Sequence, residues 1–147
     1  MNFDELKTIA KKRKTYSIIE TVSIIFMIIM AFIMCGLMLT KWQGNKVFFS
    51  IIVVFSFSLV ITYFVSLIMA RKYYFKGEEY IISRIKELVE CYGIVPKNYT
   101  VVSTIENRYM ISFHNQIVDY DELEGKISTE LSTMNSILNS KIHIGLL

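Results

Sequence analysis

The chain has 147 residues, of which 53% are hydrophobic and only 20% are charged, and its net charge is +3. Since a soluble domain usually carries about 25% charged residues, this composition excludes a disordered chain and indicates a membrane protein. Two cysteines, Cys35 and Cys91, are too few for a disulfide framework or a four-cysteine zinc site.

The first segment, residues 1–16, is basic and has an apolar side formed by Phe3, Leu6 and Ile9. Two interpretations fit it. The segment either forms a short helix that lies at the membrane surface, or it is a frayed tail.

Two uncharged runs follow, at residues 21–40 and 47–70. A helix rises about 1.5 Å per residue, so about 20 residues cross a hydrocarbon core of about 30 Å. The loop between the runs, residues 41–46, is short enough to force an antiparallel hairpin. The sequence therefore predicts a transmembrane hairpin over residues 17–76.

The distribution of lysine and arginine predicts the orientation of this hairpin. Eight basic residues flank the outer ends of the two runs, and two lie in the loop. Because basic residues are enriched on the cytoplasmic side, both termini are expected in the cytoplasm. The predicted location is the bacterial inner membrane, with a multi-pass topology.

Each run carries a distinctive helix face. The second run has hydroxyl residues at multiples of four positions: Ser50, Ser58, Thr62 and Ser66. This face either lines a water path in an oligomer or lets helices pack closely. The first run has a face composed of Glu20, Ser23, Met27, Met30, Met34 and Met38. The Glu20 carboxylate is expected to reach the interface or to pair with Arg71 or Lys72.

Residues 77–147 predict a small cytoplasmic α+β domain with the order helix, strand, strand, helix, strand. The helices are Glu78–Tyr92 and one that begins near Asp119, where Glu122 completes a capping box. The strands are Tyr99–Ile105, Arg108–His114 and Lys141–Leu147, by their β-branched or alternating residues. The expected fold class is thus a two-helix membrane hairpin joined to this domain.

Catalytic chemistry is sparse in this sequence. His114 and His143 are its two histidines, and no metal-binding, phosphate-loop or nucleophile-elbow motif is present. The acidic residues after position 118 are typical of a first helical turn. We therefore expect no enzyme, no metal and no cofactor. Six basic and ten acidic residues in 77–147 also argue against binding of a DNA or RNA duplex.

The predicted hairpin of strands offers polar side chains that suit a small anionic ligand. Arginine and lysine hold phosphates, and an aromatic ring stacks on a base. The candidate binding residues are Lys97, Tyr99, Asn107, Arg108, Ser112, His114 and Asn115. The alternative interpretation is a solvated sheet face without a ligand.

In layout, a two-span hairpin followed by a C-terminal α+β domain of about seventy residues resembles the two-helix membrane effector proteins of type III CRISPR antiviral signalling. The resemblance covers the whole chain and includes no sequence motif. It implies a homotetramer, a cyclic oligoadenylate ligand (a cyclic tetra-adenylate) and membrane permeabilisation. The expected function is therefore a ligand-gated membrane effector of prokaryotic antiviral defence. The alternatives are a non-enzymatic membrane anchor or adaptor that recruits a protein partner, and a phage holin or exclusion protein.

Overall fold

A computed structural model describes residues 3–39, 44, 46–105, 107–114 and 119–147. Its elements are α1 (Asp4–Leu39), α2 (Lys46–Cys91), a 3₁₀ turn (Pro96–Asn98), β1 (Tyr99–Ile105), β2 (Arg108–Phe113), α3 (Tyr120–Leu138) and β3 (His143–Leu146). The chain divides into two compact units. We call Lys11–Tyr73 the helical unit, and Met1–Ala10 together with Tyr74–Leu147 the αβ unit.

The helices α1 and α2 are both long and apolar enough to cross a membrane. Within their most apolar stretches only 6% and 11% of the residues are buried. A core helix of a globular protein would be mostly buried, whereas these apolar stretches are mostly exposed in this structure. The predicted runs lie on α1 and α2, except for residue 40, which falls outside the described residues together with most of the predicted loop.

One seam of partly buried side chains runs along each helix of the helical unit. On α1 the seam consists of Arg13, Tyr16, Glu20, Ser23, Met27, Met30, Met34 and Leu37. On α2 the seam includes Ile52, Ser56, Leu59, Tyr63, Ser66, Ala70 and Tyr73. Both seams alternate steps of three and four residues, which is typical of knobs-into-holes packing. At one end, the rings of Tyr16 and Tyr73 stack with centroids 5.6 Å apart.

The first residues of the chain belong to the αβ unit. Leu6 is fully buried in its core, and Phe3, Ile9 and Ala10 pack against that core. The segment is therefore neither a frayed tail nor a separate surface helix, because its apolar side is covered by protein. The boundaries of the two compact units lie after Ala10 and after Tyr73, whereas the predicted segments are 1–16, 17–76 and 77–147.

The predicted order of helices and strands is confirmed, and the predicted helix over Glu78–Tyr92 is the last part of α2. The sheet has the order β1-β2-β3. The strands β1 and β2 are antiparallel, whereas β2 and β3 are parallel. One face of the sheet contributes Tyr99 and Ile111 to the core, together with buried residues of α2 and α3.

Helix α3 begins and ends at capping residues. Asp119 accepts a hydrogen bond from the Glu122 backbone N–H, as the capping box predicts, at 3.4 Å. At the other end, Asn139 adopts a left-handed conformation, and Asn135 donates from Nδ2 to the Ile142 carbonyl at 2.8 Å. The buried face is the predicted one: Leu123, Ile127, Leu131, Met134 and Leu138.

Candidate ligand site on the outer face of the sheet

The sheet has an outer face, opposite the one that packs on the core. Register places Thr100 beside Ser112 and Val102 beside Met110 on this face. Arg108 lies beside His143 on the neighbouring strand. Because successive strand residues alternate between faces, these side chains form one surface, which we call the outer face.

Several predicted binding residues come together on the outer face. Arg108 and His114 are exposed and Ser112 is half-buried. The His114 ring nitrogen Nε2 lies 3.3 Å from the Thr100 hydroxyl. Lys97 is exposed on the 3₁₀ turn that precedes β1, and Asn115 falls outside the described residues. The face therefore offers an arginine, a histidine and hydroxyl groups that can hydrogen-bond an anion.

Two further predicted residues have structural contacts instead. Tyr99 is buried, and its hydroxyl donates to Glu90 Oε1 at 2.8 Å. Burial and this hydrogen bond raise the pKa of Tyr99 to about 12, so the hydroxyl remains a donor. A buried ring cannot stack on the base of a nucleotide. Asn107 has a positive φ of 65°, and its backbone oxygen accepts from the His143 N–H at 2.8 Å.

The turn between β1 and β2 is bound to α2 by two tyrosine hydroxyls. The Tyr74 hydroxyl donates to Asn107 Oδ1, and the Tyr109 hydroxyl donates to a Glu78 carboxylate oxygen. Burial, with the Glu78 carboxylate, raises the pKa of Tyr109. Tyr74 and Glu78 are one turn apart on α2. Tyr74 and Asn107 are 33 positions apart in the sequence, and Glu78 and Tyr109 are 31 positions apart. No local pattern in the sequence indicates these contacts.

Three clefts of the αβ unit lie along α2, and none of these three is lined by the predicted binding residues. One cleft of about 500 Å³ is lined by residues of opposite charge: Glu5, Lys76, Glu79, Arg84 and Glu87, with Ile9, Tyr80 and Ser83. Arg108 and His114 are exposed on the outer face, so a ligand there would be held by hydrogen bonds and charge.

The predicted hydroxyl face on α2 does not remain on one side of the helix. Ser50, Ser58 and Thr62 are exposed, whereas Ser66 is buried in the seam and donates to the Tyr63 carbonyl at 2.8 Å. An α-helix has 3.6 residues per turn, so each step of four residues rotates the side chain by about 40°. Over sixteen residues the stripe turns from the outside into the seam.

The methionine-rich face of α1 lies mostly on the seam. Met27, Met30 and Met34 line an open groove of about 470 Å³ with Ala31, Val53, Ser56, Phe57 and Val60. Met38, at the end of the predicted face, is exposed. Glu20 is half-buried on the seam, and within the described ranges it makes no ion pair with Arg71 or Lys72.

Glu130 on α3 is a largely buried carboxylate of the αβ unit. Its Oε2 atom has no hydrogen-bond partner among the residues that the structure describes, and it lies 3.9 Å from the Arg84 Nε. Burial raises the pKa of Glu130, although the Arg84 charge opposes this effect. Arg84 also pairs with Glu87, so it is shared between two carboxylates.

We expect Glu130→Gln to stabilise the αβ unit at neutral pH. The pKa of Glu130 is higher in the folded state than in the unfolded state, so folding favours the protonated form. The stabilisation that comes from protonating Glu130 is complete below the pKa of this residue in the unfolded chain. It is lost as the pH rises through the pKa of Glu130 in the folded state. The gain in Tm from Glu130→Gln should therefore increase between about pH 4 and pH 7. Glu124→Gln, at an exposed position of α3, is the control, and equal curves for the two variants would contradict the prediction.

Among the described residues, no group of three His, Cys, Asp or Glu side chains is placed to hold a metal ion. Comparison with known protein families, with curated proteins and with solved structures finds no match for this chain. The candidate site is therefore argued from its own geometry, which is a sheet face with exposed Arg108 and His114 whose strand β2 is preceded by Asn107, hydrogen-bonded to Tyr74 of α2.

Proposed function

We propose that this protein is a ligand-gated membrane effector of prokaryotic antiviral defence. In this proposal α1 and α2 cross the bacterial inner membrane and the αβ unit lies in the cytoplasm. A small anionic nucleotide, of the cyclic oligoadenylate class, binds the outer face of the sheet. Binding changes the packing of the two helices and permeabilises the membrane.

The observation that carries the proposal is the continuity of α2. This single helix runs from Lys46 to Cys91. Its first part forms the seam with α1, and its last part contributes Ile81, Ile85 and Val89 to the core of the αβ unit. A helix without an interruption transmits rotation or translation along its axis, as helix shifts do in known switches.

The turn contacts support a connection between the outer face and α2. Arg108 directly follows Asn107, whose side chain accepts from the Tyr74 hydroxyl. A phosphate bound by Arg108 would act one residue away from this hydrogen bond. The ligand would thus favour one arrangement of the turn against α2, which is the differential contact that switching requires.

The helical unit has features that suit two packing arrangements. Methionine side chains adapt to irregular spaces, and three of them line the open groove of about 470 Å³ between α1 and α2. Adaptable side chains along this groove allow the helices to shift against each other. Half-buried Glu20 and buried Ser23 lie on the same α1 seam and supply polar groups for a water-filled gap.

The test uses the full-length protein in liposomes, with cyclic tetra-adenylate as the probe. Arg108→Ala with His114→Ala should weaken binding at least about tenfold, because charge-assisted hydrogen bonds to phosphate are lost. Membrane insertion should be unchanged. Binding is measured by calorimetry, and permeabilisation by dye release. Lys86→Ala removes an exposed charge from α2 and is the matched control.

A second variant separates binding from transmission. Tyr74→Phe removes the hydroxyl that binds Asn107, so it should reduce dye release while binding stays intact. If Arg108→Ala with His114→Ala binds the probe as tightly as the wild type, the outer face is not the ligand site. If the wild-type protein binds no cyclic oligoadenylate, the nucleotide class is wrong.

A membrane anchor that recruits a protein partner is the second candidate. Two exposed apolar side chains favour it, Val102 at 52% and Ile105 at 63% exposure, both on β1. A flat surface with apolar groups suits a protein better than it suits a nucleotide. Dye release by the wild-type protein with the nucleotide alone would contradict the anchor, which needs no ligand.

A further inference from the structure

Strand β1 lies at one edge of the sheet, with β2 on its inner side. The His114 N–H donates to the Asn98 carbonyl at 2.7 Å. In an antiparallel ladder the hydrogen-bonded pairs alternate, so Thr100 and Val102 also direct their backbone groups toward β2. The N–H and C=O groups of Tyr99, Val101 and Ser103 therefore point away from β2, and among the described residues no other strand pairs with this edge.

Over Tyr99–Ser103 this edge lacks the charges and prolines that protect the edges of monomeric sheets, and its register irregularity lies beyond Ser103. Monomers place lysines, prolines or other charges on an edge strand, or shorten it. The seven residues of β1, Tyr-Thr-Val-Val-Ser-Thr-Ile, include no charge and no proline. Most of them are exposed. The opposite edge strand, β3, has four residues.

We propose that β1 pairs with β1 of a second copy of this chain. The two strands would run antiparallel around a two-fold axis at Val101, so that two three-stranded sheets join into one of six strands. Three residues of each strand, Tyr99, Val101 and Ser103, would form about six backbone hydrogen bonds across the axis. The Pro96–Asn98 turn limits the pairing on one side. The register irregularity between Ser103 and Ile105 limits it on the other.

A second copy fits this edge because pairing β1 with itself brings no like charges together, and every copy supplies the same uncharged strand. In a two-fold interface the residue on the axis faces its own copy, and each neighbouring residue i faces residue j of the copy while j faces i. A charged strand would place like charges together, which destabilises cross-strand pairs. An uncharged strand has no such cost. Pairing also places Val102 beside Thr100 of the second copy on the outer face, which covers part of the exposed valine.

The β1–β1 interface is small, and its area indicates where the dimer would form. A stable dimer usually buries about 1,200–2,000 Å², and one strand edge buries less. Copies held by the same membrane have a high effective concentration, which compensates for a small interface. The pairing therefore needs the full chain with α1 and α2. It does not depend on whether the outer face binds a nucleotide.

The test is cross-linking of the full-length protein in liposomes, with Cys35 and Cys91 replaced by serine. Chains with Thr100→Cys are mixed with chains that carry Val102→Cys. The proposed register places these two positions opposite each other, with Cα atoms about 4.5 Å apart, within the disulfide range. Two copies of either cysteine alone would be more than about 7 Å apart. The mixture should form disulfide dimers several times more than either variant alone.

A charge variant tests the same interface without a cysteine. Ser103→Lys adds a charge at an exposed position of the edge, and we expect at least a tenfold loss of dimer in liposomes, measured by energy transfer between labelled chains. Ser132→Lys, at an exposed position of α3, should leave the dimer unchanged. The proposal is overturned if mixed cysteine variants cross-link no more than single ones, or if the two lysine variants behave alike. A purely monomeric wild-type protein, with β1 paired to another protein's peptide, would also overturn it.

Discussion

Leu6→Ala is expected to destabilise the αβ unit by about 2–5 kcal/mol, the usual cost of truncating a fully buried leucine. Leu6 is fully buried in the same core as Ile81, Ile85 and Ile111. The substitution removes apolar contact and leaves a cavity between the first helix and the rest of the unit. The effect is large because a unit of this size has a small core, and each buried side chain is a large share of it.

The measurement is hydrogen exchange of the full-length protein in detergent micelles. Amides of β2 and α3 should lose protection in Leu6→Ala, although they are distant from residue 6 in the sequence. Leu39→Ala is the matched control, since Leu39 lies on the same helix and is 84% exposed. Equal protection in the two variants would show that the first residues do not belong to this core.

Gly77→Ala is expected to destabilise the αβ unit by about 1–3 kcal/mol, as overpacking does. Helix propensity alone predicts the opposite, since alanine is favoured over glycine in a helix by about 1 kcal/mol. The structure reverses the sign because a Cβ at position 77 would lie 2.5 Å from Cδ1 of Leu138. Leu138 is itself buried in the core and has little room to move.

A double-mutant cycle with Leu138→Ala separates these two effects. Leu138→Ala alone should cost about 2–5 kcal/mol. In the Leu138→Ala variant the space next to residue 77 is no longer filled by the leucine side chain. Gly77→Ala should then stabilise the αβ unit by about 0.5–1 kcal/mol. Thermal unfolding followed by circular dichroism gives the four values. Additive effects would mean that Gly77 and Leu138 are not in contact.

The sequence by itself determined the features that depend on local geometry. Apolar residues at helical spacing predicted the buried face of α3, and Asp119 with Glu122 predicted its start. Alternation predicted that Tyr109, Ile111 and Phe113 share a face, and the structure packs all three on the core. The length and the apolar character of the two runs predicted α1 and α2. Each of these signals is present within a few turns of one element, and so no distant contact is needed to see it.

The candidate site could be predicted only in part. Alternation along β2 placed Arg108, Ser112 and His114 together on the outer face, as the structure has them. The roles of Tyr99 and Asn107 could not be predicted, because they depend on Glu90 and on Tyr74 and His143, which other elements bring close. A tyrosine at a strand end has the same local pattern whether its ring is free or buried.

The tertiary structure alone decided how the elements meet. It placed β3 parallel to β2 and brought Leu6 into a core formed mostly by residues after position 80. Along α2 the buried and half-buried side chains of the seam follow steps of three and four residues, whereas the hydroxyl stripe follows steps of four. The physical reason is the same in each case. Burial depends on which surfaces touch, and amphipathic patterns show that a face is apolar without identifying the surface that covers it.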